Sequence, residues 1–253
     1  SVIEQQKYLD LESSIVEKFP DCDVFVSFSS RMVIKLLKKK KNEEYKNLPQ
    51  TLADIDMLGY KHVSVVSINI FPTDEHEVLK KIVDGFKHFS LANISCTNAL
   101  LTKTKETTAF LKDLNEQISK DDTANLYVIH GTPRLDTVGI DSISYSASFL
   151  ELISENNFTC SLEGAFPYFE INDVIKSRIE KLGLKKVQVV PLLLVSGNHY
   201  IEDMFEIKDD LSDKFESFIV PSLTKSEKFN LIELPMIQNI IEKFNTLNLK
   251  IIT

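Results

Sequence analysis

Apolar runs rich in β-branched residues alternate along the chain with amphipathic, helix-like segments. The runs are apolar at consecutive positions rather than at every second one, which is typical of strands covered on both faces. Helical patterns separate them, as the crossovers between parallel strands require. The pattern predicts an α/β fold in which parallel sheets are flanked by helices. The predicted strands cover residues 23–29, 62–71, 93–101 (the weakest), 125–131, 186–195 and 215–223.

An internal repeat divides the chain into two similar parts. "LGYKHVSVVSINI" (58–70) and "LGLKKVQVVPLLL" (182–194) align without a gap at a spacing of 124 residues. Each segment reads as a helix end, a glycine cap and a buried strand. We therefore expect two pseudo-symmetric α/β halves, 1–122 and 123–253, with a ligand cleft between them outside the carboxyl ends of the strands.

The first half lacks a counterpart of one strand. By the repeat, a strand equivalent to 125–131 should precede Ser1, and in the strand order usual for such α/β folds it would lie between the strands 23–29 and 62–71. An empty central slot would leave two rows of backbone groups unpaired. We expect either that the sequence is incomplete or that another segment fills the slot, which would separate the two flanking strands by about 9–10 Å, twice the usual spacing.

Composition and charge restrict the partners. With 253 residues and 43% hydrophobic residues, the chain can fill a sizeable core. Its apolar runs are shorter than the roughly 18 residues of a membrane span, and its start does not resemble a signal peptide, so we expect a cytoplasmic protein without a membrane partner. A formal charge of −8 argues against nucleic acid. Cys22, Cys96 and Cys160 are expected to be buried free thiols.

Two histidines and a glutamate follow predicted strands, each with a glycine nearby. His130 precedes Gly131, His199 follows Gly197 by two residues, and Glu163 ends a short apolar run in "CSLEGAFP". The glycines allow a sharp turn and leave room for a ligand. Two imidazoles and one carboxylate suit a divalent transition metal with open coordination positions. Hydrogen-bonded surface histidines without any metal are the alternative.

The segment "FPTDEHEVLKKI" follows a repeat strand and supplies further candidates. Glu75 and His76 are expected to line the cleft. Thr73 or Asp74 is expected to cap the helix that begins near Glu75, and Asp74 is favoured. His62 opens a strand at its amino end and His88 lies near a helix end, so neither is placed in the site.

Three segments of the chain resemble the signatures of a known enzyme family. "YVIHGT", "SLEG" followed shortly by proline, and "VVPLLLVSGNHYIEDM" are similar to the three signature segments of the anaerobic sirohydrochlorin cobalt chelatases, a branch of the class II tetrapyrrole chelatases. "KFPDCDVFVSFSSRMVIKLLKK" and "LADIDMLGYKHVSVVSINIFPTDEHEVLKKI" also resemble segments of this family. The resemblance implies two pseudo-symmetric α/β halves with the tetrapyrrole in the cleft, in agreement with the repeat.

The resemblance also implies roles for the matched residues. His130 and His199 would bind the incoming metal, and Glu163 would complete the ligand set. Inserting a metal into a tetrapyrrole displaces two pyrrole protons, so the reaction needs a base and ligands that exchange for pyrrole nitrogens. The implied activity is insertion of Co²⁺, as a substrate metal, into sirohydrochlorin in anaerobic cobalamin (corrinoid) biosynthesis. No nucleotide is expected, because no phosphate-binding glycine loop is visible.

The chain departs from the family pattern at three places. Asn69 replaces a histidine of the family's "SLHI", Arg134 follows "HGTP" where a further histidine is common, and one extra residue separates Glu163 from proline, which would allow Glu163 to be displaced. Sirohydrochlorin carries eight carboxylates, so an acidic protein needs local positive groups. The predicted substrate-binding residues are Gly131, Gly197, Asn69, Glu75, Arg31 and Arg134.

Two other functions remain open at this point. The same ligand set could support iron insertion toward sirohaem. A non-catalytic protein that binds haem, a tetrapyrrole or a metal is the second alternative, and Asn69 is the residue that favours it. The physiological metal and a homo-oligomeric state are also left open.

Overall fold

Strands and helices alternate throughout the residues described by the computed structural model. These residues are 13, 15–17, 20–29, 34–35, 38–39, 45–193, 198–220 and 250–252, with 198–201 and 250–252 described by their backbone alone. The elements are β1 (Val24–Phe25), α1 (Leu48–Met57), β2 (His62–Val65), α2 (Asp74–Phe89), β3 (Asn93–Cys96), α3 (Thr104–Ile118), β4 (Thr123–Gly131), α4 (Ile140–Ile153), β5 (Asn157–Glu163), α5 (Tyr168–Lys181), β6 (Lys186–Pro191), α6 (Asn198–Ser212), β7 (Glu216–Ile219) and β8 (Lys250–Ile252).

Sheet B is a four-stranded parallel sheet in the order β5-β4-β6-β7. Its central strand β4 is buried along almost its whole length, because helices cover both faces of the sheet. Leu126 and Val128 of β4 join Val189 of β6 and Met204 and Ile207 of α6 in one apolar core. The continuous apolar runs therefore do mark parallel strands, and the predicted α/β fold is confirmed.

A ladder of buried amides fixes the register of sheet B. Asn125 of β4 lies directly opposite Asn157 of β5 on one side and Gln188 of β6 on the other. The Asn125 amide donates to Asn157 Oδ1 at 2.8 Å and accepts from Gln188 Nε2, while Asn157 donates to Asn115 Oδ1 of α3, also at 2.8 Å. A slip of one residue would leave these buried amides unpaired. The ladder thus keeps the carboxyl ends of β4 and β5 level with each other.

Sheet A has the order β1-β8-β2-β3, also all parallel. The three-residue strand β8 lies between β1 and β2, with Ile251 opposite both Val24 and Ser64. Another segment of the chain therefore fills the slot that the repeat requires. The central strand of sheet A comes from residues 250–252, so the two sheets have equivalent strand orders despite different chain paths.

The compact units differ from the halves expected from the repeat. The described residues from 101 to 220 form one unit, and the earlier described residues form the other together with β8. The helix α3 precedes the boundary expected after residue 122, so it falls in the predicted first half. It belongs with sheet B because Asn115 accepts a hydrogen bond from the Tyr127 hydroxyl at 2.9 Å. The helix α3 and the strand β8 thus each belong to the unit whose sheet they pack on, rather than to the half in which they lie along the sequence.

Several local expectations can be compared with the structure. His62 begins β2 and His88 lies in the last turn of α2, as predicted. Asp74 is the first residue of α2 rather than its cap. The N-cap is Thr73, which makes no side-chain capping hydrogen bond. None of the described helices is long and apolar enough to cross a bilayer.

None of the three cysteines forms a disulfide, and only one of them is fully buried. Cys160 lies in the core of sheet B, where burial raises the pKa of its thiol. Cys22 and Cys96 are only partly buried, so the expectation of buried thiols is wrong for these two. Cys96 ends the short edge strand β3, which is covered less completely than the central strands.

Candidate active site

His130 and Glu163 lie side by side at the carboxyl edge of sheet B, where the parallel strands end. His130 is the penultimate residue of β4 and Glu163 the last residue of β5, and the register places Gly131 opposite Glu163. His130 Nδ1 is 3.6 Å from Glu163 Oε1. The side chains are 66% and 46% exposed, so both reach solvent from a buried scaffold. The structure thus brings together two of the three predicted metal ligands.

Two glycines allow the loops after β4 and β5 to interlock. Gly131 and Gly164 have φ angles of +82° and +81°, in the left-handed region. A Cβ at Gly131 would collide with the carbonyl oxygen of Glu163, and a Cβ at Gly164 would collide with that of Thr132. Both positions therefore require glycine for conformation and for space. This close backbone approach holds His130 and Glu163 beside each other.

The loop after Glu163 absorbs the extra residue of "EGAFP". It folds back on β5, where Ser161 donates its backbone N–H to the Phe166 carbonyl at 3.0 Å and its hydroxyl to the Ala165 carbonyl at 2.7 Å. Phe166 takes up the turn with a φ of 58°, and its side chain is 69% exposed. Because the irregularity is confined to this loop, Glu163 keeps its place in the strand register.

The third predicted ligand, His199, lies in the first turn of α6. This helix follows β6, which pairs with β4 on the side opposite β5. The side chain of His199, like all of Gly197 and Arg31, lies outside the described residues. Within the part of the chain that the structure describes, no three His, Cys, Asp or Glu side chains form a cluster able to hold a metal ion. The full ligand set therefore stays a prediction.

Arg134 lies in the loop that follows His130. Its guanidinium group contacts the Asp136 carboxylate through two hydrogen bonds of 2.9 and 2.8 Å, which lower the pKa of that carboxyl group. The base of the loop is held by a buried hydrogen bond from the Thr132 hydroxyl to the Thr137 hydroxyl, at 3.0 Å. A substrate carboxylate that binds Arg134 would therefore compete with Asp136.

The predicted site residues Asn69, Glu75 and His76 lie in the unit that contains sheet A. Asn69 follows β2 and is half-buried, while Glu75 is exposed in the first turn of α2. The expectation that His76 lines a cleft is wrong, because this side chain is only 2% exposed and its Nδ1 lies 2.9 Å from the buried Ser67 Oγ. The helical spacing contained the signal, since His76 lies seven residues before the fully buried Val83 on the same face of α2.

Comparison with solved structures confirms the fold. SirB from Bacillus subtilis with Fe³⁺ is 14% identical, with a TM-score of 0.54, over 89% of this chain and 94% of SirB. The sirohydrochlorin chelatase SirB from Bacillus subtilis subspecies spizizenii, in complex with cobalt, is 13% identical, with a TM-score of 0.50, over 88% of this chain and 96% of that protein. The parallel α/β architecture is thus that of sirohydrochlorin chelatases.

Sequence comparison then gives the family. The model of the cobalt chelatases (CbiK) matches residues 3–243, and the chain belongs to this family of metal chelatases. A sirohydrochlorin cobaltochelatase of Salmonella typhimurium is 22% identical over 195 residues, which cover 76% of this chain and 71% of that enzyme. The resemblance seen in the signature segments is therefore confirmed at the level of the family.

Proposed function

We propose that the protein is a sirohydrochlorin cobaltochelatase that inserts Co²⁺ into the tetrapyrrole in anaerobic corrinoid biosynthesis. The observation that carries this proposal is the exposed His130–Glu163 pair, held at adjacent strand ends by the interlocked loops. Membership of the cobalt chelatase family and the similarity to the Salmonella enzyme support cobalt as the metal. The metal is a substrate here and leaves the protein within the product.

The geometry of the pair suggests a role for each ring atom. His130 Nδ1 faces the Glu163 carboxylate, so Nε2 is the nitrogen available to bind the incoming metal. A carboxylate beside a metal-binding imidazole orients the ring and increases its basicity. When the metal exchanges its protein ligands for pyrrole nitrogens, two pyrrole protons must leave, and Glu163 and the released imidazole are groups that can accept them.

The remaining predicted site residues complete the proposal. We place His199 as the third metal ligand, because α6 follows β6 directly beside the central strand β4. The proposed substrate-binding residues are Gly131, Gly197, Asn69, Glu75, Arg31 and Arg134. The two arginines would bind peripheral carboxylates of sirohydrochlorin, which otherwise meets an acidic protein.

An absorbance assay of metal insertion into sirohydrochlorin tests the proposal. Rates are measured with Co²⁺, Fe²⁺ and Ni²⁺, each against the rate without protein. We expect His130→Ala and His199→Ala to lower Co²⁺ insertion by at least about 100-fold and Glu163→Gln by a similar factor, as for loss of a general base. His88→Ala, at the exposed end of α2, is the matched control and should keep full activity. Normal turnover by folded His130→Ala would remove this residue from the mechanism.

The same assay tests the alternatives. The SirB structure with Fe³⁺ makes sirohaem synthesis the nearest one, and faster insertion of Fe²⁺ than Co²⁺ would favour it. Tight binding of sirohydrochlorin without insertion of any of the three metals would instead indicate a non-catalytic tetrapyrrole-binding protein. The amide of Asn69, which cannot act as a base, would be in keeping with that outcome.

A further inference from the structure

Three polar side chains form a hydrogen-bonded chain beyond the end of β2. Asn69 Nδ2 donates to Ser67 Oγ at 3.1 Å, and Ser67 Oγ lies 2.9 Å from His76 Nδ1. Ser67 and His76 are almost completely buried, whereas Asn69 is half-buried. This series of hydrogen bonds therefore runs from the buried His76 outward to Asn69. We call it the Asn69 relay.

The donors of the Asn69 relay can be ordered along its length. An amide nitrogen only donates, so Ser67 Oγ accepts from Asn69. We assign the Ser67 hydroxyl proton to His76 Nδ1, 2.9 Å away, an arrangement that needs a neutral imidazole with its own proton on Nε2. Burial lowers the pKa of His76, Lys80 lowers it further, and only Glu77 acts in the opposite direction. The neutral ring is therefore the form present near neutral pH.

This order determines which atom Asn69 presents outward. Its Nδ2 is held toward Ser67, so its Oδ1 points away from the relay. Oδ1 makes no hydrogen bond with the described residues and is not among their buried unpaired atoms, so it can receive a ligand donor. The backbone is fixed as well, because the Asn69 carbonyl accepts the Leu100 N–H at 2.9 Å. Asn69 is thus a pre-oriented hydrogen-bond acceptor.

The chemistry of the substrate indicates what such an acceptor can bind. The eight ionised carboxylates at the edge of sirohydrochlorin are themselves acceptors and would repel Oδ1. The donors of the free base are the N–H groups at the centre of the macrocycle. Metal insertion removes both of these protons, so the metallated product has no donor to offer. An outward acceptor can therefore distinguish substrate from product.

We propose that Asn69 Oδ1 accepts a hydrogen bond from a pyrrole N–H of the free-base tetrapyrrole, and that Ser67 and His76 are positioning residues that hold the amide in this orientation. The inference rests on the proposed function and deepens it. It makes Asn69 a residue that favours the substrate over the product and so helps the metallated macrocycle to leave. No proton passes to Asn69.

Equilibrium titration followed by absorbance, without free metal, tests the inference. Dissociation constants are measured for sirohydrochlorin and for cobalt-sirohydrochlorin. We expect Asn69→Ala to weaken substrate binding by about 5–10-fold, the worth of one net hydrogen bond, and to leave product binding unchanged. Ser64→Ala is the matched control, because it removes a partly buried hydrogen bond between β2 and β3, to Ser95, without touching the relay. It should leave both constants unchanged.

Two substitutions at His76 test the positioning role. His76→Asn offers an oxygen near the place of Nδ1 and should keep the preference for the free base, whereas His76→Leu should lose part of it. Thermal unfolding confirms that each variant is folded, and failure of His76→Leu to fold leaves Ser67→Ala to report the same loss.

Other outcomes separate the inference from the proposed function. If Asn69→Ala weakens the binding of substrate and product equally, or weakens the binding of neither, the inference is wrong, but the proposed chelatase function can still be correct. If the unaltered protein binds no sirohydrochlorin at all, the proposed function fails and the inference fails with it.

Discussion

The two sheets have equivalent strand orders, but their carboxyl edges carry different chemistry. In sheet B the strand ends present an exposed imidazole beside an exposed carboxylate, His130 and Glu163. In sheet A the corresponding edge carries the neutral Asn69 relay, whose imidazole, that of His76, is buried. The repeat has therefore preserved the scaffold and not the site. Whether a histidine near a strand end can bind a ligand is decided by its burial, which the repeat does not specify.

The two sheets also differ in the origin of their central strand. In sheet B the central strand β4 is followed along the chain by both of its neighbours. In sheet A the central strand β8 comes from residues 250–252, distant in sequence from β1 and β2. Closing a long stretch of chain costs more entropy than closing a short one. Sheet A should therefore lose its central strand more readily than sheet B.

The largest expected effect comes from breaking β8. Ile251→Pro removes the N–H of a residue that has a strand on each side, opposite Val24 and Ser64. Proline inside a central strand removes a ladder hydrogen bond and leaves its partner unpaired, which alone costs about 1–3 kcal/mol in folding free energy, and it also distorts the pairing on both sides. Hydrogen exchange should show lost protection in β1 and β2 and retained protection in β4 and β6. Ile251→Val keeps the N–H and is the control.

The outcome at Ile251 separates two views of the molecule. Loss of protection confined to sheet A would show that the two units open separately. Equal loss of protection in both sheets would show that the units unfold together. Unchanged protection in β1 and β2 would contradict the central position of β8.

The second-largest effect is expected from a substitution in the interlocked loops of sheet B. Gly131 and Gly183 both have positive φ angles, but only Gly131 faces a neighbouring carbonyl, while nothing lies within 4 Å of a Cβ at Gly183. Gly183→Ala should cost about 1 kcal/mol, from conformation alone. Gly131→Ala should cost at least about twice that and separate His130 from Glu163, because backbone must move. Chemical denaturation and the insertion assay measure the two losses. Similar costs for both variants would rule out the interlock.

Much of the fold could be predicted because burial leaves a mark on the sequence. Strands covered on both faces give continuous apolar runs, and these runs located the described strands except β5, which was noted only as a short apolar run, and β8. The lengths were less accurate. The run 62–71 is strand only as far as Val65, although Val66, Ile70 and Phe71 are buried beyond it. An apolar run records exclusion from water, and backbone pairing is a separate property.

The candidate site was partly visible for a related reason. Polar residues directly after buried strands indicated His130 and Glu163, and Gly131 was noted as their neighbour. The close contact of Gly164 was missed, since it is made with the Thr132 carbonyl in the loop after β4, which no local spacing reveals. The slot in sheet A could be predicted from the repeat, but its occupant could not, because three residues are too few for a periodic pattern.

The smallest expected effect concerns the loop after Glu163. Phe166 has a φ of 58°, which costs a residue with a side chain about 1–2 kcal/mol, and its exposed ring recovers little of this by packing. Phe166→Gly should remove the strain and Phe166→Ala should keep it. Glycine loses more entropy on folding, by roughly 0.4–1 kcal/mol, so we expect the glycine variant to be more stable than the alanine variant by about 0.5–1 kcal/mol. Denaturant midpoints at equal slopes measure this difference. An alanine variant as stable as the glycine variant would mean that the loop relaxes without the positive φ, and the register of Glu163 would then depend on the interlocked glycines rather than on this turn.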